Sequence, residues 1–332
     1  MPDFAVYTYT KQNICDNTLD DAQLETRCPL DNGRRRLVDA STPISISIPT
    51  RCSVGQLDQL PVELLIQVLL QIDIPSLTRF RGVNRRAMEL VDSVPQYAAL
   101  IQHCPNIIRA IVSIHANAFD CDTLYRTLRT HRCSTCTRFG DHLYLIDCRR
   151  VCYFCFTRRL EYLPLTVRQA SSFFVLGADE TQQRNAISTR RRLHAAKLPS
   201  VLSLPGRYCT AWGSQGGNSA RKRLQLFDHR AVVQSLATSN LTKLDKTTRE
   251  PRRFMAIITA PYLLDAGRQA DWGYFCLGCK EEKQEDTRHF RIKYTRGDIL
   301  EHFARHGKVK VMPRIPGRFM HVTEDLVVKP SS

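Results

Sequence analysis

Residues 57–73 read Leu-Asp-Gln-Leu-Pro-Val-Glu-Leu-Leu-Ile-Gln-Val-Leu-Leu-Gln-Ile-Asp, and this stretch decides how the rest of the chain is interpreted. Pro61 suits the first turn of a helix, where its missing N–H leaves no hydrogen bond unmade. Glu63 suits the positive end of the helix dipole. Apart from a narrow polar stripe, apolar side chains surround this helix. Both of its apolar faces must therefore be covered. We expect one face to pack within its own domain and the other to meet a partner.

Two further short helices are predicted after this one. Pro75 begins the first, and Gly82 separates it from the second, whose apolar residues fall on one face. The motif elements are Leu60-Pro61, Glu63-Leu64-Leu65, Val68-Leu69, Asp73, Leu77 and Val83-Asn84-Arg85-Arg86. This order resembles the F-box, a three-helix module, although Ala87 stands where the family usually has tryptophan and Pro75 comes one position late. The alternative is an amphipathic helical hairpin buried in its own core.

The resemblance implies that this module docks on the Skp adaptor of a cullin–RING ubiquitin ligase. The adaptor contacts expected on this basis are Leu60, Pro61, Leu64, Leu65, Val68, Leu69 and Leu77. The runs 73–80 and 84–91 resemble, more particularly, a group of F-box proteins from filamentous fungi. The pattern leaves open which of the two apolar helix faces points outward.

Composition favours a globular chain with acidic partners. The 332 residues are 43% hydrophobic, and 48 Lys and Arg against 32 Asp and Glu give a formal net charge of +16. Such a charge attracts acidic proteins, nucleic acid or anionic surfaces, and it says nothing about the fold. The most apolar run, 60–72, is too short to span a bilayer, and no secretory signal is recognisable. We therefore expect an intracellular protein of the cytoplasm and/or nucleus with no membrane association.

The thirteen cysteines are better interpreted as metal ligands than as disulfides, because the cytosol keeps thiols reduced. Cys133 and Cys136 form one Cys-x-x-Cys pair, and Cys152 and Cys155 form another. Each pair presents two thiolates on one tight turn, and four thiolates complete a tetrahedron around zinc. Cys148 is an alternative partner in the second pair. Four thiolates leave no open position for a catalytic water, so the predicted site is structural; reduced cysteines without a metal are the alternative.

A second zinc site is predicted near the end of the chain. Cys276 and Cys279 form another Cys-x-x-Cys pair, and a helix ending near Gly307 carries His302 and His306 one turn apart. Two thiolates and two imidazoles make a Cys₂His₂ set. The separation of Cys279 from His302 is longer than in a base-reading zinc finger. His289 is a rival ligand, and a surface histidine pair beside unrelated cysteines is the alternative.

The complete prediction is an α+β chain that is predominantly helical, with two structural zinc ions. Its parts are a flexible or disordered tail (1–54), an F-box (55–94), a helical connector (95–130), a Cys₄ zinc knuckle or ribbon (131–160) and a mixed C-terminal body (161–332) with the Cys₂His₂ candidate. The last two parts form a zinc-stabilised body.

The function that follows from the resemblance is a non-enzymatic one. The F-box would hold the Skp adaptor and, through it, the cullin, while the C-terminal body holds a protein target. The alternative is a zinc-stabilised, basic nucleic-acid-binding protein. An enzyme is disfavoured, because no catalytic motif such as Gly-x-Ser-x-Gly or His-Glu-x-x-His occurs in the sequence.

Overall fold

The fold is taken from a computed structural model, which describes residues 8–9, 53–176, 197–204, 223–235, 251–281, 289–312, 315 and 317–322. The prediction of an α+β, predominantly helical chain is confirmed. Most of the predicted tail 1–54 lies outside these residues. Within it, Thr8 and Tyr9 form a short strand.

Six α-helices come first along the described chain and five lie in the body. The first six are α1 (Val62–Leu70), α2 (Ile74–Arg81), α3 (Arg85–Asp92), α4 (Pro95–His103), α5 (Pro105–Ile114) and α6 (Cys121–Leu128). The others are α7 (Tyr153–Arg158), α8 (Val167–Leu176), α9 (His229–Ser235), α10 (Leu277–Glu281) and α11 (Arg296–His306). Five 3₁₀ segments cover Gly55–Gln59, Leu160–Tyr162, Pro251–Phe254, Asp265–Gly267 and His289–Arg291.

The strands are short and form five small antiparallel sheets. They are β1 (Thr8–Tyr9), β2 (His142–Tyr144), β3 (Arg149–Val151), β4 (Leu165–Thr166), β5 (Ser200–Leu202), β6 (Gln225–Phe227), β7 (Ile257–Thr259), β8 (Tyr262–Leu264), β9 (Gln269–Asp271), β10 (Phe275–Cys276), β11 (Lys308–Val311) and β12 (Phe319–Val322). Their orders are β3-β2-β7, β4-β6-β5, β1-β10, β8-β9 and β11-β12. In strand β2, His142 pairs with Val151 of β3 and with Thr259 of β7. The segment between the first two cysteine pairs therefore forms a sheet with residues more than a hundred positions later in the chain.

Polar residues fix where the early helices begin. Asp73, Asn84 and Asp120 each accept a hydrogen bond from a backbone N–H of the first turn of α2, α3 and α6, at 2.9, 2.8 and 2.7 Å. A cap of this kind satisfies a donor that would otherwise lack a partner and is worth about 1 kcal/mol. The N–H of Cys121 also donates to the carbonyl of Ile72 at 3.1 Å, so the beginnings of α2 and α6 are joined.

One hydrophobic core joins the first helices to the body. It extends from Leu65 in α1 through Ile107 in α5 and Tyr144 in β2 to Leu263 in β8, and it includes the cysteines of the first predicted metal site. A second, smaller cluster surrounds Cys276, Cys279 and Ile299. The helices α4 to α6, which were predicted as a helical connector, share one core with the helices before them and the sheet after them.

Candidate adaptor-binding face and metal centres

Helix α1 and its neighbours expose a set of large apolar side chains. Relative exposures are 39% for Leu60, 52% for Val62, 49% for Leu64, 45% for Val68, 67% for Val83 and 36% for Met88. Leu64 and Val68 are four residues apart and lie on the same side of α1. Exposed large apolar side chains grouped on a folded domain are typical of a place where a partner binds.

Three of the predicted adaptor contacts belong to the core instead. Leu65 and Leu69 are 3% and 2% exposed, and Leu77 is fully buried. Consecutive residues of a helix are rotated by about 100° around its axis. In the pair Leu64-Leu65, one side chain can therefore face solvent while the other faces the core. The structure thus selects Leu60, Pro61, Leu64 and Val68 from the predicted set as surface residues. It adds three that the sequence analysis did not choose, namely Val62, Val83 and Met88.

An ion pair holds the segment before α1 in place. The Arg86 guanidinium donates to the Asp58 carboxylate at 3.0 Å, and that carboxylate also accepts from the N–H of Val54 at 2.9 Å. The pKa of Asp58 is lowered, first by the backbone N–H of Val54 and next by Arg86. The Asn84 amide donates to the carbonyl of Ser53 at 3.0 Å. These contacts explain the polar part of the Val83-Asn84-Arg85-Arg86 motif, since they fix the turn that carries Leu60.

The first cysteine group assembles as predicted. Cys133, Cys136, Cys152 and Cys155 place their sulfur atoms within 4.8 Å of one another, and the Sγ atoms of Cys136 and Cys152 are 3.6 Å apart. In a tetrahedral zinc site with Zn–S bonds of about 2.3 Å, neighbouring sulfurs lie about 3.8 Å apart. The donor set therefore fits a tetrahedral ion that prefers thiolate ligands.

The thiols of this group compete for protons. The pKa of Cys133 is held far below its ordinary value, because the thiols of Cys152 and Cys155 donate hydrogen bonds to its sulfur. The pKa of Cys155 is raised to about 12, chiefly by its hydrogen bond to Cys133. Protein thiols bind metal only as thiolates. A bound cation would stabilise all four thiolates together, which the protein alone does not do.

Cys148 does not belong to the group. Its backbone has a left-handed φ of 60°, and its buried thiol donates to the Thr127 hydroxyl at 3.7 Å. Burial raises its pKa to about 12. The structure thus resolves the open alternative of Cys148 as a substitute ligand in favour of the four cysteines of the two Cys-x-x-Cys pairs.

Arg150 connects the segment that carries Cys133 and Cys136, which we call the metal loop, to the core. Its backbone carbonyl accepts hydrogen bonds from both the N–H and the hydroxyl of Ser134, each at 2.8 Å. Its guanidinium, which is 2% exposed, donates to four backbone carbonyls, those of Thr127, Leu128, Gly140 and Pro261. A Cβ at position 140 would lie 2.5 Å from Arg150 Cγ, which explains the glycine there. Burial lowers the pKa of Arg150 to about 10, so the group stays charged at neutral pH.

We expect Arg150→Met to lower the free energy of unfolding by about 3 kcal/mol or more, because four buried carbonyls lose a charged donor. Urea denaturation followed by circular dichroism measures this. The control is Arg126→Met. The Arg126 side chain is 79% exposed and pairs with Asp122, so its loss should change the free energy of unfolding by less than about 0.5 kcal/mol. Equal effects of the two substitutions would contradict the role given to Arg150.

The second group differs from the prediction by one histidine. Cys276, Cys279, His302 and His321 bring their donor atoms within 4.8 Å of one another. His302 Nε2 lies 3.3 Å from the Cys279 sulfur, and His321 Nε2 lies 3.3 Å from both sulfurs. These separations fit the edges of a tetrahedral Cys₂His₂ site.

A hydrogen bond sets the tautomer of His321. Its Nδ1 lies 2.9 Å from the carbonyl of Gly307, and a carbonyl can only accept, so Nδ1 carries the proton. The lone pair of Nε2 then faces the two sulfurs, as a metal-binding imidazole requires. Gly307 has a φ of 90° and ψ of 164°, a conformation that is essentially restricted to glycine. The glycine that ends α11 therefore also orients a ligand.

His306 is corrected to His321 in this group. His306 is exposed at the end of α11 and its ring centroid is 4.6 Å from that of His302, outside the donor cluster. His321 reaches the site because β12 pairs back on β11, placing it opposite Val309, the buried residue of β11. A Cβ at Gly278 would lie 2.8 Å from the His321 ring, so the glycine between the two cysteines makes room for it. His289, the rival ligand, lies in a 3₁₀ segment.

The apolar face and the early helices coincide with a known domain. Residues 57–98 match the family model of the F-box domain, so the chain contains an F-box. The match continues into α4, beyond the boundary at residue 94 that was predicted for this domain. No curated protein and no solved structure matches the chain. An F-box points to an adaptor-binding role in an SCF-type ubiquitin ligase, and F-box proteins are usually non-catalytic substrate receptors. None of the helices in the described parts of the chain is both long and apolar enough to cross a membrane.

Proposed function

We propose that this protein is the substrate-recruiting F-box subunit of an SCF-type cullin–RING ubiquitin ligase. The F-box would bind the Skp adaptor and, through it, the cullin, and the C-terminal body would bind a protein target. Ubiquitin transfer would then occur on the RING side of the assembly, inside the cell in the cytoplasm or nucleus. The observation that carries the proposal is the exposed apolar face of the F-box.

The energetics of that face support a binding role. Val62, Leu64 and Val68 are about half exposed on one short helix, while Leu65 and Leu69 anchor the same helix to the core. Removing apolar surface from water is worth about 25 cal/mol per Å², so covering this face by an adaptor would contribute substantially to binding. The helix keeps its position without the adaptor, because the buried leucines hold it.

Zinc is the ion that we propose for both centres. Thiolate and imidazole ligands in tetrahedral sets without an open position are typical of structural zinc. In each centre the protein supplies four donors, and the surrounding core excludes water from most of them. The role of the ions would be to fix the shape of the body that presents a target-binding surface.

Co-purification with a recombinant Skp adaptor tests the proposal. The wild-type chain is expected to form a stoichiometric complex, and Leu64→Glu/Val68→Glu is expected to weaken it by more than about a hundredfold, since two charges would be buried in an apolar interface. The matched control is Ala98→Glu/Gln102→Glu, which places the same charges four residues apart on exposed positions of α4. Folded, metal-loaded wild-type protein that forms no complex would refute the proposal.

A further inference from the structure

Two arginines lie against one aromatic ring at the first metal centre. The guanidinium carbons of Arg138 and Arg158 are 5.0 and 4.9 Å from the centroid of the Phe154 ring. Phe154 lies between Cys152 and Cys155 in α7 and is 6% exposed. Cation–π contacts of this kind orient a guanidinium without neutralising its charge. Two positioned cations therefore lie at the first metal centre.

A third arginine lies beside them. The Arg132 guanidinium donates to the carbonyl of Thr137 at 3.2 Å, directly before Arg138 in the chain. The side chains of Arg132, Arg138 and Arg158 are all exposed. We refer to these three residues as the arginine patch.

The arginine patch lacks acidic partners among the described residues. No Asp or Glu carboxylate oxygen in that part of the chain lies within 4.0 Å of any of its three guanidinium groups. Two other exposed arginines do have such partners: Arg85 pairs with Glu89 and Arg126 with Asp122. The acidic side chain that does contact this metal loop, Glu161, accepts from the Thr135 hydroxyl instead.

The segments that carry the patch are packed against buried groups. They contain the four clustered cysteines, and Arg150 next to them in the fold is hydrogen-bonded to buried backbone carbonyls. The ring of Phe139, which follows Arg138 in the chain, packs so closely on Gly273 that a Cβ there would approach it to 2.9 Å. The guanidinium of Arg291 lies 4.4 Å from the centroid of the Tyr153 ring. Pre-positioned groups lose little side-chain entropy on binding.

We propose that the arginine patch is a docking site for an acidic segment of a protein partner. A guanidinium binds a carboxylate through two parallel hydrogen bonds. Three exposed guanidinium groups without carboxylate partners among the described residues therefore match a short run of Asp and Glu. Protein is favoured over nucleic acid because Phe154 is covered, so no exposed ring in the patch offers a base a stacking platform. The inference relies on the proposed function only for identifying this partner as a ligase target.

Binding of a fluorescein-labelled, glutamate-rich peptide to the full metal-loaded chain tests the inference. Fluorescence anisotropy at low salt should show saturable binding, and the same peptide with every glutamate replaced by glutamine should not bind. Arg138→Gln/Arg158→Gln should weaken binding by about tenfold or more. The charge-matched control Arg85→Gln/Arg126→Gln removes two paired exposed arginines and should stay within about twofold of wild type.

Further measurements distinguish failure of this inference from failure of the proposed function. Arg138→Lys/Arg158→Lys keeps the charge but not the planar fork, and it should retain part of the affinity if the site is real. Equal loss in the patch variant and the control, or patch-dependent binding of a single-stranded oligonucleotide without peptide binding, would overturn the inference. Metal content and Skp-adaptor binding are measured on the same variants. The patch variants should bind the adaptor as well as the wild type does. If the wild-type chain binds the peptide but not the adaptor, the proposed function is refuted and the peptide-binding site is not.

Discussion

Loss of the zinc ion that we propose at the Cys133–Cys155 centre is expected to unfold the main body of the protein. The cysteines of this centre belong to the same core as Leu65 of the F-box and Leu263 of β8. Structural zinc contributes about 10–16 kcal/mol of apparent binding free energy in small zinc domains, which exceeds the net stability of most domains. Cys152→Ala should therefore abolish the cooperative thermal transition and, with it, adaptor binding.

Two substitutions serve as controls for that experiment. Cys148→Ala removes a buried thiol that is not a ligand, and it should keep the metal and cost about 1 kcal/mol. Cys276→Ala disables the second centre, which lies in its own small cluster, so the main transition should persist. Differential scanning calorimetry and metal analysis by mass spectrometry measure both. Survival of the main transition in Cys152→Ala would show that the first centre does not support the core.

Replacing His321 by alanine is expected to lower the metal content from two ions per chain to one. His321 Nε2 faces both sulfurs of the second centre, and among the described residues the cluster contains two imidazoles, those of His302 and His321. His306→Ala is the matched control, because it removes a histidine from the same region and should leave two ions bound. Removing a metal ligand lowers metal affinity by far more than the 10–100-fold loss that follows removal of a residue hydrogen-bonded to a ligand.

The cobalt-substituted protein gives a second readout. Tetrahedral thiolate–imidazole coordination produces a visible absorption band, which should be weakened in His321→Ala and unchanged in His306→Ala. The reverse result would restore the assignment made from the helical spacing of His302 and His306.

The spacing of the cysteines predicted which four sulfur atoms come together at the first centre. A Cys-x-x-Cys pair is local, since both thiolates come from one turn, and its ligand geometry survives whatever the rest of the fold does. The choice between Cys148 and the Cys152–Cys155 pair needed the structure, because it depends on the left-handed turn that points Cys148 toward Thr127.

The second histidine could not be predicted in the same way. His302 and His306 are adjacent on α11, and helical spacing alone makes them equivalent candidates. The ligand came instead from β12, forty-two residues after Cys279. A hairpin register is set by long-range packing, so it is less visible in the sequence than a helix period. Two local signals were present: Gly278 between the cysteines and Gly307 at the helix end, both of which accommodate His321.

For the F-box, the sequence predicted the domain but not the orientation of its leucines. Its motif predicted the three helices, and the family match confirms the domain. The motif did not separate the leucines that hold the fold from those that face outward. That division depends on what packs against α1, and α6 supplies part of that surface from sixty residues away.

The continuity of the core between α1 and β8 has a mechanical consequence. In the receptor that we propose, the described residues of the F-box and of the body share one interior, so no hinge lies between them within those residues. A target held at the arginine patch would be carried at a fixed distance and angle from the ubiquitin donor. Only lysines within that fixed reach would be modified, so the shape of the receptor itself would select the sites of ubiquitin attachment.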